Sequence, residues 1–282
     1  MKLFLTGGTG FIGSHVLARA LAAGHSVVAL RRPGSRPKIT LPTEPTWLEK
    51  PIDQLGAADL RGCDAVVHLA SAGVSPQKAS WPELLQWNVC ASVALMQAAQ
   101  MAGIRRIVVA GTFAEYGRSA DRYEFIPADA PLLPTYAYAG SKAAAFAAAY
   151  SLAVEAGMEL AYLRIFSAYG EGQFEGNFWP SLRAAAHSGR DFEMTAGEQI
   201  RDYVAVELVA DAFLAAALRT DIVPGRPLVR NVGSGQPTTM RAFAEHWWRE
   251  WKAPGHLLTG RLPYRANEVM RFVPDMQEEV GP

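Results

Sequence analysis

Short apolar runs alternate with longer helical patterns over the first 165 residues of the chain. The short runs are rich in aliphatic and aromatic residues, and each longer stretch ends at a glycine, the expected stop for a helix. The predicted strands are KLFL, HSVVAL, DAVVHLA, IRRIVVAG and MELAYLRIF, and the predicted helices cover 10–23, 83–102 and 137–156. This alternation predicts an α/β fold in which a doubly wound parallel sheet carries helices on both faces.

The pattern changes after Phe166, where glycine-rich loops separate shorter helical runs. We therefore predict a larger domain over residues 1–165 and a smaller C-terminal α/β cap over residues 166–282. The cap is predicted to be discontinuous, because residues 203–220 begin with YVAVELVADAFLAAAL and are apolar enough to return to the larger domain. The proline-rich segment 33–51 is predicted to be a loop with one short strand at TWLE.

Composition narrows the class of partner. The chain has 282 residues, of which 27 are Lys or Arg and 27 are Asp or Glu. A chain without net charge is not expected to bind nucleic acid or an acidic membrane surface, so a small molecule is the expected partner. Two cysteines, Cys63 and Cys90, make no disulfide framework. The N-terminal apolar run is too short for a secretion signal or a membrane span, and we expect a cytoplasmic protein.

The motif TGGTGFIG joins the first predicted strand to the first predicted helix. Glycine permits the tight turn with positive φ, the close approach of the backbone to a pyrophosphate, and the packing of helix against strand. The N-terminus of the helix then presents free N–H groups to the phosphates. The alternative is an ordinary strand-to-helix turn. The residues predicted to bind the dinucleotide here are Gly7, Gly10, Phe11, Ile12 and Gly13.

The second predicted strand is followed by Arg31 and Arg32, where an enzyme that prefers NAD usually carries an acidic residue. A carboxylate would repel a 2′-phosphate, whereas guanidinium groups can bind it in bidentate fashion and stack on the adenine. The two arginines therefore favour NADP(H) as the cofactor, and NAD(H) stays open. A solvated basic turn is the alternative interpretation.

Tyr138 and Lys142 lie four residues apart in the predicted helix 137–156, and so share one face of it. A phenol with a pKa of about 10 is a poor acid or base at neutral pH, and a cation beside it favours the phenolate. We therefore expect Lys142 to lower the pKa of Tyr138, whereas Tyr136 is expected to pack or to contact substrate. Thr112 directly follows the predicted strand IRRIVVAG, at the sheet edge where ligands bind. These residues predict a catalytic set of Thr112, Tyr138 and Lys142; the alternative for the Tyr–Lys spacing is an exposed helical pair.

These motifs resemble those of the extended branch of the short-chain dehydrogenase/reductase family, in particular its nucleotide-sugar epimerases, dehydratases and reductases. The resemblance runs from Met1 to about Asp275 through TGGTGFIGSHV, VVHLAS, WNVCASVALMQAA, GTFAEYG, YAYAGSKAA, LRIFSAYG, IRDYVAV and YRANE. It implies a Rossmann-type domain that binds NAD(P) and a cap that holds a nucleoside-diphosphate sugar. It also implies that Tyr138 is the acid/base, that Lys142 holds the nicotinamide ribose as well, and that Thr112 orients the sugar oxygen.

The resemblance implies further cofactor contacts. Asn88 would support a water network in the active site, and Phe166 would lie near the nicotinamide. The cofactor would also be lined by Leu69, Ala70 and Ser71.

Three residues are implied to contact the substrate diphosphate: Asn177, Arg201 and Arg265. Planar guanidinium donors suit two phosphoryl groups. The ordinary alternatives are a turn residue for Asn177, an ion pair with Asp202 or Glu198 for Arg201, and a solvated side chain for Arg265.

The chain departs from the family pattern at several positions. Phe113 and Ala114 stand where dehydratases carry an acidic residue or pair, and neither side chain transfers protons, so elimination of water is not expected. Glu115 is one residue further along and is expected to face the other way. Ser167 replaces a frequent asparagine, and Pro51 replaces an aspartate that often contacts the adenine.

The expected reaction is reduction of a 4-keto-(6-deoxy)hexose nucleotide by NADPH, with Tyr138 as the proton donor. A nucleotide-sugar 4-epimerase is the alternative, and a non-catalytic sensor protein that binds NADP(H) is a hypothesis from another class. No metal site is predicted. The apolar helices 83–102 and 137–156 would suit either a homodimer interface or burial against the sheet.

Overall fold

The central sheet of the computed structural model is parallel and has seven strands. The structure describes residues 1–74, 79–266 and 268–276. All five predicted strands and the short strand TWLE are present, which confirms the predicted α/β class. The strands of this sheet, in spatial order, are β10 (Leu228–Val232), β6 (Glu159–Ile165), β5 (Arg106–Thr112), β4 (Ala65–His68), β1 (Lys2–Thr6), β2 (Ser26–Arg31) and β3 (Thr46–Glu49).

Helices cover both faces of this sheet. Alternate residues of β1 point to opposite layers: Leu3 and Leu5 join the core beneath the first and seventh helices, and Phe4 joins the core beneath the fourth and fifth. Within the described residues, no helix combines the length and the apolar character needed to cross a bilayer. The helices are α1 (Phe11–Ala22), α2 (Ala57–Leu60), α3 (Trp81–Leu84), α4 (Ala91–Met101), α5 (Ala137–Glu155), α6 (Phe178–Ser188), α7 (Val206–Leu218) and α8 (Met240–Glu250).

The predicted helix 83–102 differs from a regular α-helix. It begins at Trp81 behind a capping box, in which Ser80 and Glu83 bond each other's backbone N–H groups. Residues Leu85–Cys90 then form a π-helical segment, and α4 follows it directly at Ala91. The inserted residue of such a bulge rotates the side chains that follow it, and Asn88 lies within this segment and is buried.

A smaller group of elements forms the cap. Among the described residues its main sheet has four strands, in which β9 pairs with all of the other three, and a second sheet has two strands. Helices α6 and α8 pack over a core of aliphatic and aromatic side chains that includes Trp248, Trp247 and Phe178. The cap strands are β7 (Ser167–Tyr169), β9 (Ile200–Ala205), β11 (Pro237–Thr239) and β13 (Arg271–Phe272) in the main sheet, and β8 (Phe192–Glu193) and β12 (Leu257–Leu258) in the other.

The chain crosses back from the cap to the central sheet after β9. Helix α7 packs against α1, and Val209, Ala210 and Phe213 share a core with residues of β1 and β6. Strand β10 then extends the central sheet beside β6. The exact division at residue 165 stays a prediction.

Candidate active site

The glycine loop between β1 and α1 has no room for a side chain at Gly7 or Gly13. Gly7 has a φ of +76°, and a Cβ on it would lie 2.6 Å from the amide nitrogen of Ala70. A Cβ on Gly13 would collide with the carbonyl oxygen of Gly7, whereas the Gly10 N–H donates to that same oxygen at 2.9 Å. This cradle fits the close approach of a dinucleotide's phosphates to the backbone and to the N-terminus of α1, which Phe11 and Ile12 begin.

The neighbouring loop after β4 is tied to the end of β1. The Leu69 N–H donates to the carbonyl oxygen of Thr6 at 3.2 Å, and the Ala70 N–H donates to the Thr6 hydroxyl at 3.3 Å. Leu69 and Ala70 therefore lie directly beside the glycine loop, and Ser71 follows them. The family resemblance implies that these three residues line the cofactor, which stays a prediction.

Arg31 is not available in the way predicted. Its Nε donates to Glu49 Oε1 at 2.8 Å, and its guanidinium carbon lies 4.7 Å from the centroid of the Trp47 ring. Arg32 is exposed, and its side chain forms no ion pair within the described part of the chain. Of the two predicted phosphate ligands, Arg31 is thus held by an acidic partner and Arg32 is not.

Thr112 and Tyr138 meet at the carboxyl edge of the sheet. Thr112 is the last residue of β5, and Tyr138 lies in the first turn of α5. The Ser71 and Thr112 side chains are near enough to the Tyr138 hydroxyl to affect its pKa. Burial raises the pKa of Tyr138 well above its ordinary value, Tyr136 and Glu115 raise it further, and the two hydroxyl groups lower it in part.

Lys142 does not act on the phenol as predicted. Its buried ammonium donates to the carbonyl oxygen of Ala110 in β5 at 2.7 Å. Burial lowers the pKa of Lys142, while the nearby charge of Glu115 raises it. The pKa of Tyr138 is thus raised and not lowered, because desolvation of the phenol dominates, and the Lys142 ammonium is directed to the backbone of β5. A lowering effect of Lys142 on the phenol stays a prediction.

Asn88 connects the loop after β4 with α5. Its side-chain oxygen accepts hydrogen bonds from the Ala72 N–H at 2.7 Å and from the Ser71 hydroxyl at 3.1 Å. Its side-chain nitrogen donates to the Ser141 hydroxyl at 2.9 Å, which in turn donates to the Tyr138 carbonyl oxygen at 2.8 Å. The π-helical segment thus places one amide where it fixes both Ser71 and the backbone of Tyr138.

A buried ion pair lies behind Thr112. Glu115 belongs to a 3₁₀ turn over Phe113–Tyr116, and its Oε2 accepts from Arg164 Nε at 2.7 Å. Its Oε1 accepts from the Thr112 N–H and from the Tyr162 hydroxyl, both at 2.9 Å. The side chains of Glu115 and Arg164 are 0% and 1% exposed. Glu115 therefore faces the core and holds the backbone of Thr112, and it does so from a 3₁₀ turn rather than from the strand position that the sequence suggested.

Aromatic side chains line the position where a dehydratase would carry acidic residues. Phe113 packs against Phe166 with a centroid separation of 5.6 Å and against Phe272 at 4.8 Å. Ala114 is buried. Phe166, predicted to lie near the nicotinamide, is thus part of an apolar wall beside Thr112.

Two of the three predicted substrate residues are connected with Tyr136, Arg265 through its own charge and Arg201 through its partner Glu268. Arg201 in β9 is buried, and its Nη2 donates to Glu268 Oε1 at 2.6 Å, so its partner is neither Asp202 nor Glu198. Arg265 is exposed. Burial raises the pKa of Tyr136, the charge of Arg265 lowers it and the charge of Glu268 raises it. The Tyr136 ring stacks on the Tyr138 ring at 6.4 Å.

The third, Asn177, occupies the N-cap position of α6, although its side chain forms no cap hydrogen bond. Its backbone N–H donates to Phe174 at 2.9 Å. No hydrogen bond of Asn177 in the described ranges reaches Arg201 or Arg265.

The residues that the sequence did not reveal are mostly partners of those that it did. Ser141 follows Tyr138 by three residues, so helical spacing could have indicated it. Glu49 could have been found only from the register of β3 on β2, in which it pairs with Arg31. The pairing of Arg201 with Glu268 could not be predicted from the neighbouring sequence, because the two residues are 67 positions apart.

Comparisons with known proteins agree with this fold. The pattern that defines the NAD dependent epimerase/dehydratase family matches residues 3–233. A UDP-glucose 4-epimerase of Corynebacterium glutamicum is 26% identical over 268 residues, which cover 87% of this chain and 79% of that protein. A dTDP-6-deoxy-L-talose 4-dehydrogenase (NAD(P)(+)) of Kitasatospora kifunensis is 31% identical over 258 residues, covering 86% and 77%. The solved structure of MoeE5 in complex with UDP-glucose and NAD is 28% identical, with a TM-score of 0.82, and the match covers 99% of this chain and 90% of that one.

Proposed function

Because the chain belongs to the NAD dependent epimerase/dehydratase family and is an enzyme, we propose a reaction for it. The enzyme reduces the 4-keto group of a nucleoside-diphosphate (6-deoxy)hexose, and its cofactor is NADP(H). The observation that carries the proposal is the position of the Tyr138 phenol. The phenol is near enough to Thr112 and Ser71 for both hydroxyl groups to lower its pKa, and Thr112 ends β5 at the sheet edge that also holds the glycine loop. A carbonyl oxygen placed there would meet a proton donor and a second hydrogen-bond donor.

Tyr138 is the proton donor in this proposal. Because burial raises its pKa, the phenol keeps its proton at neutral pH and cannot act as a base. The raised pKa also makes it a weak acid, so it would donate only as the carbonyl oxygen gains the strongly basic charge of an alkoxide. A bound nicotinamide would supply the hydride to the carbonyl carbon. Tyr138 would transfer its proton to the carbonyl oxygen, while Thr112 holds that oxygen by a hydrogen bond. Asn88 and Ser141 keep the backbone of Tyr138 in place.

Elimination of water is a poor match for this site. The carboxylate of Glu115 is fully buried and accepts hydrogen bonds from Thr112, Tyr162 and Arg164. A base engaged in this way cannot reach a sugar carbon, and Phe113 and Ala114 carry no group that transfers protons. The remaining chemistry is hydride and proton transfer at a carbonyl or hydroxyl carbon.

The substrate class follows from the relatives and from two arginines. MoeE5 is described with UDP-glucose bound, and the two curated relatives are named for UDP- and dTDP-linked sugars. Arg265 and Glu268 are near enough to Tyr136 to affect its pKa, and the Arg201 guanidinium is bonded to Glu268. We assign these arginines to the diphosphate, with Asn177 as a third contact at the start of α6.

The name of the Kitasatospora relative favours a reductase, since oxidation at C4 is the reverse of 4-keto reduction and that protein is named for NAD(P)(+). The exposed Arg32 supports NADP(H). The Corynebacterium relative favours the second candidate, a 4-epimerase. Both relatives are enzymes, which counts against a non-catalytic sensor.

The test is to follow NADPH and NADH consumption with a panel of 4-keto-6-deoxy sugar nucleotides, and to analyse the sugar products. A reductase consumes the reduced cofactor in proportion to product, with NADPH preferred. Interconversion of two epimers without net consumption would identify the epimerase, and cofactor binding without turnover would identify a sensor.

Tyr138→Phe is expected to lower kcat by about a hundredfold or more, because it removes the proton donor. Tyr136→Phe is the matched control, since it removes a hydroxyl from the stacked, exposed neighbour and is expected to change kcat only a few-fold. A Tyr138→Phe enzyme as fast as the parent would refute the assignment.

A further inference from the structure

The carboxyl ends of β2 and β3 form a short chain of charged and aromatic contacts. Arg31 and Glu49 are register partners on these neighbouring strands. The Arg31 Nε and Nη2 both donate to Glu49 Oε1, the first at 2.8 Å. The guanidinium carbon lies 4.7 Å from the Trp47 ring centroid, and the Trp47 indole N–H donates to Glu44 at 2.6 Å.

This arrangement occupies the part of Arg31 that a phosphate would use. The Nε and Nη2 donors make the edge that binds two oxygens at once, and here both are directed to one carboxylate oxygen. One face of the guanidinium also lies on an indole ring. In sheets of this type, the end of the second strand is the place where the adenosine ribose and its 2′-phosphate are recognised. The carboxylate of Glu49 therefore lies at that place too, and its charge opposes a phosphate.

Arg32, the next residue, has a different environment. The turn that carries it is fixed, because the Ser35 N–H and hydroxyl both donate to the Arg32 carbonyl oxygen, at 3.1 and 2.7 Å. Its guanidinium is exposed and has no ion-pair partner among the residues that the structure describes. One arginine at this edge is thus free to meet a 2′-phosphate, and the other is engaged.

We propose that Glu49 is a specificity-determining residue that limits the preference of this site for NADP(H) over NAD(H). It does so by holding Arg31 on Trp47 and by placing a negative charge beside the 2′-phosphate position. Recognition of the 2′-phosphate then rests on Arg32 alone, so the site accepts both cofactors. The inference rests on the dinucleotide site of the proposed function, but it does not depend on the sugar substrate or on Tyr138.

The experiment measures binding of two probes by isothermal titration calorimetry: 2′,5′-ADP, which carries the 2′-phosphate, and 5′-ADP, which lacks it. In Glu49→Gln, the dissociation constant of 2′,5′-ADP is expected to fall about fivefold, the scale of one partly exposed charge interaction. That of 5′-ADP is expected to stay within about twofold of the parent value. The matched control is Asp53→Asn, which removes a nearby exposed carboxylate that does not contact Arg31 and should leave both constants unchanged.

Arg31→Ala separates the two ways in which Glu49 could act. If Glu49 acts mainly by holding Arg31, the gain from Glu49→Gln disappears in the double variant with Arg31→Ala. The melting temperatures of the parent and the single variants are also compared. If they are equal, a change in the ratio of the dissociation constants of 2′,5′-ADP and 5′-ADP reflects cofactor recognition and not a loss of folded protein.

Three results would overturn the inference. An unchanged ratio of the two constants in Glu49→Gln removes it and leaves the proposed reaction intact. A weakened binding of 5′-ADP in that variant would show that Glu49 instead accepts hydrogen bonds from the ribose. Failure of the parent to bind either probe would remove the dinucleotide site, and with it the proposed function.

Discussion

Replacing Glu115 by glutamine tests whether a buried charge holds the active-site threonine in place. The carboxylate accepts three hydrogen bonds from protein donors, from the Thr112 backbone, the Tyr162 hydroxyl and Arg164. Glutamine keeps one acceptor oxygen but turns an amide NH₂ towards at least one of these donors. It also leaves the Arg164 guanidinium, which is 1% exposed, without a counter-charge.

The magnitude follows from this burial. Removing one partner of a buried ion pair costs about 3–5 kcal/mol, and the retained oxygen of glutamine places the expected loss near the lower end, about 3 kcal/mol. For a chain of 282 residues, an unfolding entropy of about 2.1 cal/mol/K per residue sums to about 0.6 kcal/mol/K. The melting temperature should therefore fall by about 5 °C.

The assay is thermal unfolding followed by circular dichroism, with Glu155→Gln as the control. Glu155 ends α5 and is exposed, so its charge should contribute within about 0.5 kcal/mol. Activity of Glu115→Gln should fall as well, because the Thr112 N–H loses its fixed acceptor. If Glu115→Gln melts within about 1 °C of the parent, the ion pair does not stabilise this corner of the fold as argued.

Three further predictions concern other parts of the site. Gly13→Ala should abolish calorimetrically detectable binding of 5′-ADP, because the new Cβ collides with the carbonyl oxygen of Gly7; undiminished binding would contradict the cradle. Burial lowers the pKa of His68 to about 3. As the pH falls, the imidazole is therefore protonated in the unfolded chain before it is protonated in the folded one. The contribution of His68 to the free energy of unfolding is fully present above about pH 6.5 and falls by up to about 1.4 kcal/mol per pH unit as the pH drops towards 3. His68→Gln should therefore lose about 2 kcal/mol less than the parent between pH 7 and 5 in urea unfolding, and equal losses would refute this. Glu268→Gln should tighten binding of UDP about fivefold by removing a negative charge beside Arg201, whereas weaker binding would show that Glu268 is needed to position that arginine.

The sheet was predictable where its strands are buried on both faces and therefore read as continuous apolar runs. Strand β10 was missed because it lies at the edge of the sheet, and its sequence, LVRNV, mixes polar with apolar residues. The π-helical segment was missed for another reason: one inserted residue hardly changes an apolar pattern of period 3.6. The placement of Asn88 towards both Ser71 and Ser141 depends on that segment, so the sequence could identify the residue but not its contacts.

The positions of Thr112, Tyr138 and Lys142 followed from local rules, since each is fixed by the end of a strand or by the first turns of a helix. The electrostatics of the phenol did not follow. Sequence spacing shows that an ammonium lies one turn away, but the pKa depends on desolvation and on where that ammonium points. Both are set by the packing of α5 on β5, which brings the ammonium to the Ala110 carbonyl oxygen.

Arg201 and Arg32 differ in whether their charge is paired with an acidic residue, and this difference affects how each could bind an anion. Arg201 is buried, and an unpaired buried guanidinium would be costly, so Glu268 makes its position in the cap tolerable. Arg32 is exposed and needs no such partner, because water solvates it. An arginine predicted to bind an anion inside a cap should therefore come with an acidic residue that the anion must displace or share. On this argument Glu268 both stabilises Arg201 and competes with the diphosphate, and the direction of the change in UDP affinity on Glu268→Gln shows which of these effects is the larger.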